Sequence, residues 1–292
     1  MKNLRFFVPA LLAGLTTAAA AQTETPPAAE AAPARAWQRR IDNTFVFVLN
    51  PLGIMDSFDV TWTKAINRSD DLLHKDAHVA AGVVNRIAPA FLRVGPWFEY
   101  SPLSIVDLRV GVEPGYYFGT FKAFLPFESA SSNFDDEVIE ARQSEAESGF
   151  AGKVYFSPTL KARAGPVVAR VRAEVAYYKA QEAGEPFYYE PFIDTLVKAS
   201  GSTVFTLEAL VLREFDLGGG SKLLLGPVYD LTTVREAPEN RKQDIGLIAA
   251  WSSSKRFRAL KDPAFAAKIV YFLQDPVRRH EPAAFITFAF GL

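Results

Sequence analysis

Cysteine is absent from all 292 residues, so neither a disulfide framework nor a thiolate metal site can hold this chain together. Long apolar runs are missing too. After the first residues no stretch of the ~18–20 apolar residues needed for a spanning helix occurs, which excludes a helical membrane protein. Charge of one sign is not in excess, because 32 basic residues face 33 acidic ones for a net charge of −1. No basic stripe is left to hold nucleic acid. Histidine is scarce: His74, His78 and His280 are all there are. His74 and His78 stand four apart, a spacing that shares a face only on a helix, whereas here it runs from a loop into an extended segment. The sequence therefore implies no metal and no cofactor. The nucleophile elbow G-x-S-x-G and the D-x-D-x-D-G order of a calcium loop are absent as well.

What is abundant is aromatic: 24 Phe, 10 Tyr and 4 Trp need either a large core or a lipid belt. The chain opens MKNLRFFVPALLAGLTTAAAAQ, with Lys2 and Arg5, an apolar run from Phe6 to about Leu15 and small residues ending at Ala21. This layout is that of a secretory signal, expected over residues 1–21. No cysteine follows for lipid attachment. Residues 22–36, QTETPPAAEAAPARA, read as a flexible Pro/Ala linker, leaving a single folded domain over 37–292.

Within that domain the period is two. In SIVDLRVGVEP, Val106, Leu108, Val110 and Val112 alternate with Asp107, Arg109, Gly111 and Glu113, as a strand between two different environments requires. Alternation and Gly/Pro punctuation predict about twelve strands, with ten as the alternative, over 43–50, 57–66, 77–86, 91–101, 104–117, 150–162, 166–178, 203–215, 222–233, 243–252, 266–274 and 283–292. Many are long enough to cross a bilayer at a tilt, which takes ~9–11 residues. The polar faces collect Arg93, Glu99, Asp107, Arg109, Glu113, Lys153, Lys161, Arg170, Arg172 and Glu174. The expected fold is all-β, a closed antiparallel transmembrane β-barrel in which those ten residues line the lumen.

The final stretch AAFITFAFGL sets Ile286, Phe288, Phe290 and Leu292 on one face. It resembles the last strand of bacterial outer-membrane β-barrel proteins, although Leu292 stands where an aromatic usually ends such chains. The resemblance implies export to the cell outer membrane, with outer-membrane lipids as partners. Trp62, Trp97, Tyr100, Tyr116, Tyr117, Phe118, Tyr177, Tyr178 and Trp251 are expected in interfacial girdles. Connections at 118–149, 179–202 and 234–242 are expected outside and the shorter ones on the periplasmic side. Residues 128–148 should form a short solvated helix capped near Asn133 or Asp135, and 185–201 a rim-packed loop with a helical turn over 192–198. The expected function is a narrow pore or transport protein for small solutes. A filled structural or binding barrel is the alternative, and a barrel-embedded lipid hydrolase using His78 with Ser57 or Ser101 the minor one.

Overall fold

The computed structural model describes residues 36–50, 53–66, 71–181, 184–254 and 260–292. The expected export segment, and the linker up to residue 35, lie outside the described residues. The barrel strands are β1 (Gln38–Leu49), β2 (Gly53–Ala65), β3 (His78–Ala88), β4 (Phe91–Leu103), β5 (Val106–Phe118), β7 (Ser148–Ala164), β8 (Val167–Ala180), β11 (Ser202–Gly218), β12 (Ser221–Val234), β13 (Ala237–Ser253), β14 (Lys261–Gln274) and β15 (Pro282–Gly291). Each pairs antiparallel with its neighbours, and β1 pairs with β15 from Asp42↔Gly291 to Leu49↔Ala284. The ring is therefore closed, with no free edge. Three short strands, β6 (Pro126–Phe127), β9 (Phe187–Glu190) and β10 (Thr195–Lys198), form a separate sheet in the order β10-β9-β6.

Which solvent each face meets is settled by exposure. On β7, Val154 is 58% exposed while its neighbour Lys153 is 5% exposed, and the same inversion recurs around the ring. Apolar side chains point out and most charged ones point in. Such a surface is stable only where the outside is hydrocarbon, because a closed barrel satisfies its own backbone hydrogen bonds. The chain is thus a transmembrane β-barrel. Both termini of the barrel lie at one end, taken as periplasmic, with the two-residue turns 104–105, 165–166 and 219–220. At the other end emerge the long connections 119–147 and 181–201.

The expected strands all form, and most are longer than expected. The structure corrects four details. The link expected over 234–242 is a turn at 235–236, since β13 starts at Ala237. Trp97, Tyr117 and Tyr178 are buried inside the barrel instead of joining a girdle. Residues 185–201 fold as the hairpin β9–β10 and not as a helical turn. Helix α1 (Asp136–Ala141) does form, and Asp135 caps it by accepting from the Val138 N–H at 2.8 Å. It is not simply solvated, because Ile139 packs with Leu125, Phe127, Phe134, Tyr189 and Leu196.

Candidate functional site: the closed lumen

All ten sequence-predicted residues sit on the inward face, and the walls pair most of them. Arg109 reaches Glu99 at 2.8 Å and Lys161 reaches Asp107 at 2.9 Å. Lys153 pairs with Glu174, Arg86 with Glu113, Arg170 with Glu208 and Lys268 with Asp230. Arg172 donates to Ser157 Oγ at 3.0 Å. Every one of these contacts joins strands that are adjacent or next but one in the ring. The charges therefore run round the wall without crossing the lumen.

Glycine makes room for rings among them. A Cβ on Gly82 would stand 2.6 Å from the Trp97 ring, and one on Gly111 2.6 Å from Tyr155. The Trp97 ring packs against Gly82 and carries the Arg109 guanidinium 4.1 Å from its centre, a cation–π contact.

One segment does cross. From β9 into β10, Glu190 pairs with Arg93 of β4 at 2.7 Å, and both side chains are 0% exposed. The Tyr117 hydroxyl donates to the same carboxylate at 2.6 Å, and the Phe192 N–H donates to it at 3.0 Å. Four residues later Asp194 takes Arg278, from the β14–β15 connection, at 2.6 Å and also pairs with Lys242 of β13. In the ring, β4 and β13 are six strands apart in either direction. The hairpin is thus anchored to opposite walls. Between its anchors Phe192 enters the lumen, 4.9 Å from the Arg93 guanidinium, 5.4 Å from Lys153 and 6.1 Å from the Phe91 ring. Tyr117, Phe124 and Tyr188 stack beside it at 5.3 and 4.8 Å.

The connection 119–147 closes the remaining side. Its Ala130 carbonyl accepts from Asn240 of β13 at 3.0 Å, and Asp136 accepts from Arg278 at 2.9 Å. Burial pushes the Asp194 carboxyl up, but the cations Arg278 and Lys242 outweigh it and hold the group below its ordinary value. Burial beside Asp194 raises the Tyr189 phenol well above its usual range, so Tyr189 stays a neutral donor to Asp194. The backbone is strained here as well: Phe121, Lys122, Phe124 and Asp194 have φ of 51°, 67°, 63° and 53°. Such left-handed conformations cost roughly 1–2 kcal/mol per residue and persist only where surrounding contacts impose them.

The periplasmic half of the lumen is open by contrast. The side chains of Arg109, His78 and Lys161 are 26%, 25% and 33% exposed. His78 and Ser101 do meet there, with Nε2 3.4 Å from Oγ. The Ser101 hydroxyl, however, donates to Asp107 at 2.8 Å and is 1% exposed, so it is not presented as a nucleophile. Ser57 pairs across from Arg86, far along β3 from His78, and forms no couple with it. Sequence reasoning missed Glu190, Phe192, Asp194, Lys242 and Arg278. The signal was a pair of acids, Glu190 and Asp194, inside an aromatic stretch, an unusual placement for a merely rim-packed loop.

No protein-family model and no curated protein matches the chain. Solved structures similar to it include the β domain of the Bordetella autotransporter BrkA, at 12% identity and TM-score 0.45, covering 88% of this chain and 98% of that one. The NanC porin is similar at 8% identity and TM-score 0.42, over 86% of this chain and 100% of its own. LpxR from Salmonella typhimurium is similar at 7% identity and TM-score 0.41, over 86% and 99%.

Proposed function

We propose that the protein is a passage barrel for small solutes whose outer mouth is closed by the 181–201 connection, with outer-membrane lipids around it and no enzymatic step. The observation that carries this reading is the asymmetry of the ion pairs. The wall charges are neutralised by neighbouring strands, while the hairpin, with the 119–147 connection packed on it, spans the lumen. Withdrawing it leaves the walls paired except at Arg93 and, on the far side, at the shared Lys242 and Arg278 contacts to Asp194. Confined charged walls of this kind set the preference of a pore by local charge. A filled structural barrel is the competing reading, and its support is the buried layer of Arg86, Glu113, Arg170 and Glu208 in the wall.

Liposome swelling separates the two. A variant with residues 185–200 replaced by a short Gly/Ser link should admit small solutes into proteoliposomes, whereas the intact barrel should admit them slowly. A folded barrel in which both 185–200 and 121–146 are so shortened and that remains impermeable would establish the filled reading instead.

A further inference from the structure

On the outward face, where β1, β2 and β3 meet, the apolar belt is broken. The register places Asn43 opposite Phe58 and Phe58 opposite Asn85, while Asp56 lies opposite Phe45 and Ile87. Phe45 and Ile87 belong to the lipid side, so Asn43, Asp56 and Asn85 share it. Asn43 Nδ2 donates to Asp56 Oδ1 at 2.7 Å. The group is not at a rim: Ile54, Phe47 and Ile87 lie toward the outer end, and Ile41, Val60 and Val83 toward the periplasmic end.

A carboxylate held within a hydrocarbon belt is costly, and its usual meaning is a partner that hydrogen-bonds it. Asn43 spends one amide hydrogen on Asp56, its own Oδ1 is buried without a partner, and the residue is 7% exposed, so it positions the carboxylate and is shielded from anything outside. Asn85 is different. Its Oδ1 is buried and has no partner, and no hydrogen bond among the described residues engages its Nδ2 donor, on a half-buried side chain. An acceptor and a donor, Asp56 and Asn85, thus sit side by side on neighbouring strands of one face.

We infer that this face is the contact between two copies of the chain. A twofold axis through it sets the Asn85 amide of each copy against the Asp56 carboxylate of the other, closing two reciprocal hydrogen bonds with no further chemistry required. A lipid chain offers the patch no donor, and a partner of different chemistry would use only half of it. The small Ala81 side chain on the same face of β3 lets the walls approach closely, as small residues do between helices in membranes.

The absence of cysteine makes the test clean. Val83→Cys, outward and beside the patch, should cross-link to a dimer in native membranes, while Val154→Cys on β7 should not. Adding Asn85→Leu to the Val83→Cys protein should lower the cross-link about tenfold or more, since a hydrogen bond to a charged group is worth roughly 1.5–3 kcal/mol and 1.4 kcal/mol is tenfold. Asp56→Leu should do the same, and heat-modifiable migration checks that each variant is folded. If neither variant folds, sedimentation of the intact protein in detergent decides, with a dimer expected and a monomer overturning the inference. Equal cross-linking from Val83→Cys and Val154→Cys, an undiminished dimer in Asn85→Leu, or an adduct with a different protein would overturn it as well.

Discussion

The two ends of the lumen use the same ion pairs in different surroundings. At the outer mouth Arg93 and Glu190 meet at 2.7 Å with both side chains 0% exposed, and at the periplasmic end Arg109 and Glu99 meet at 2.8 Å with 26% and 13% exposed. The geometry is nearly identical. What differs is water, excluded in one place by the hairpin and admitted in the other. Desolvation makes the first pair expensive to break and the second almost indifferent, because an isolated buried charge is far costlier than an isolated wet one.

That contrast can be broken from either side. Arg93→Ala strands Glu190 without water and should cost about 3–5 kcal/mol, read as a lower denaturant midpoint of the folded gel form. Arg109→Ala, by the same measurement, should cost about 1 kcal/mol or less. Equal losses would remove the distinction between the two ends. Phe192→Ala next empties the space between the anchors. A buried phenyl truncation is worth about 3 kcal/mol or more, and the expected readout is faster proteolysis within 181–201 while the barrel stays intact.

Acid acts on the latch with a definite sign. The folded Asp194 carboxyl titrates below its ordinary value of 3.8, so its stabilisation is fully present above that value and is lost as pH falls through the still lower folded one. The hairpin should hold at neutral pH and loosen only in strong acid, followed as protease access to 181–201 after brief exposure. Asp194→Asn should remove that pH dependence. The smallest effect is expected at Lys161→Ala. Its side chain is 33% exposed, so stability should barely change, whereas the ratio of anion to cation passage through an unlatched barrel should fall.

The strands were legible because each carries its own evidence: Lys153 beside Val154, or Arg109 beside Val110, declares two environments within a few residues. The plug carries no such local record. Glu190 and Asp194 look like ordinary loop acids until Arg93 and Arg278, 97 and 84 positions away in the chain, are brought to them by closure of the ring. Trp97, Tyr117 and Tyr178 misled for a related reason. An aromatic at a strand end suits a lipid girdle or a lumen equally well, and only its parity decides. Trp97 shares parity with Arg93 and Glu99, which put it inside. The outward Asp56 was hidden by Asp59, three residues on and inward, so that one strand offers an acid to each face and the alternation blurs.

The central claim is that a latched hairpin, and not the wall, closes this barrel. Single-channel recording in planar bilayers tests it most directly, comparing the intact protein with the Glu190→Gln/Asp194→Asn double variant. The intact protein should give a closed baseline with rare, brief openings, and the variant long-lived steps of uniform size. A variant that inserts, migrates as a folded barrel and still records the same closed baseline would contradict the account.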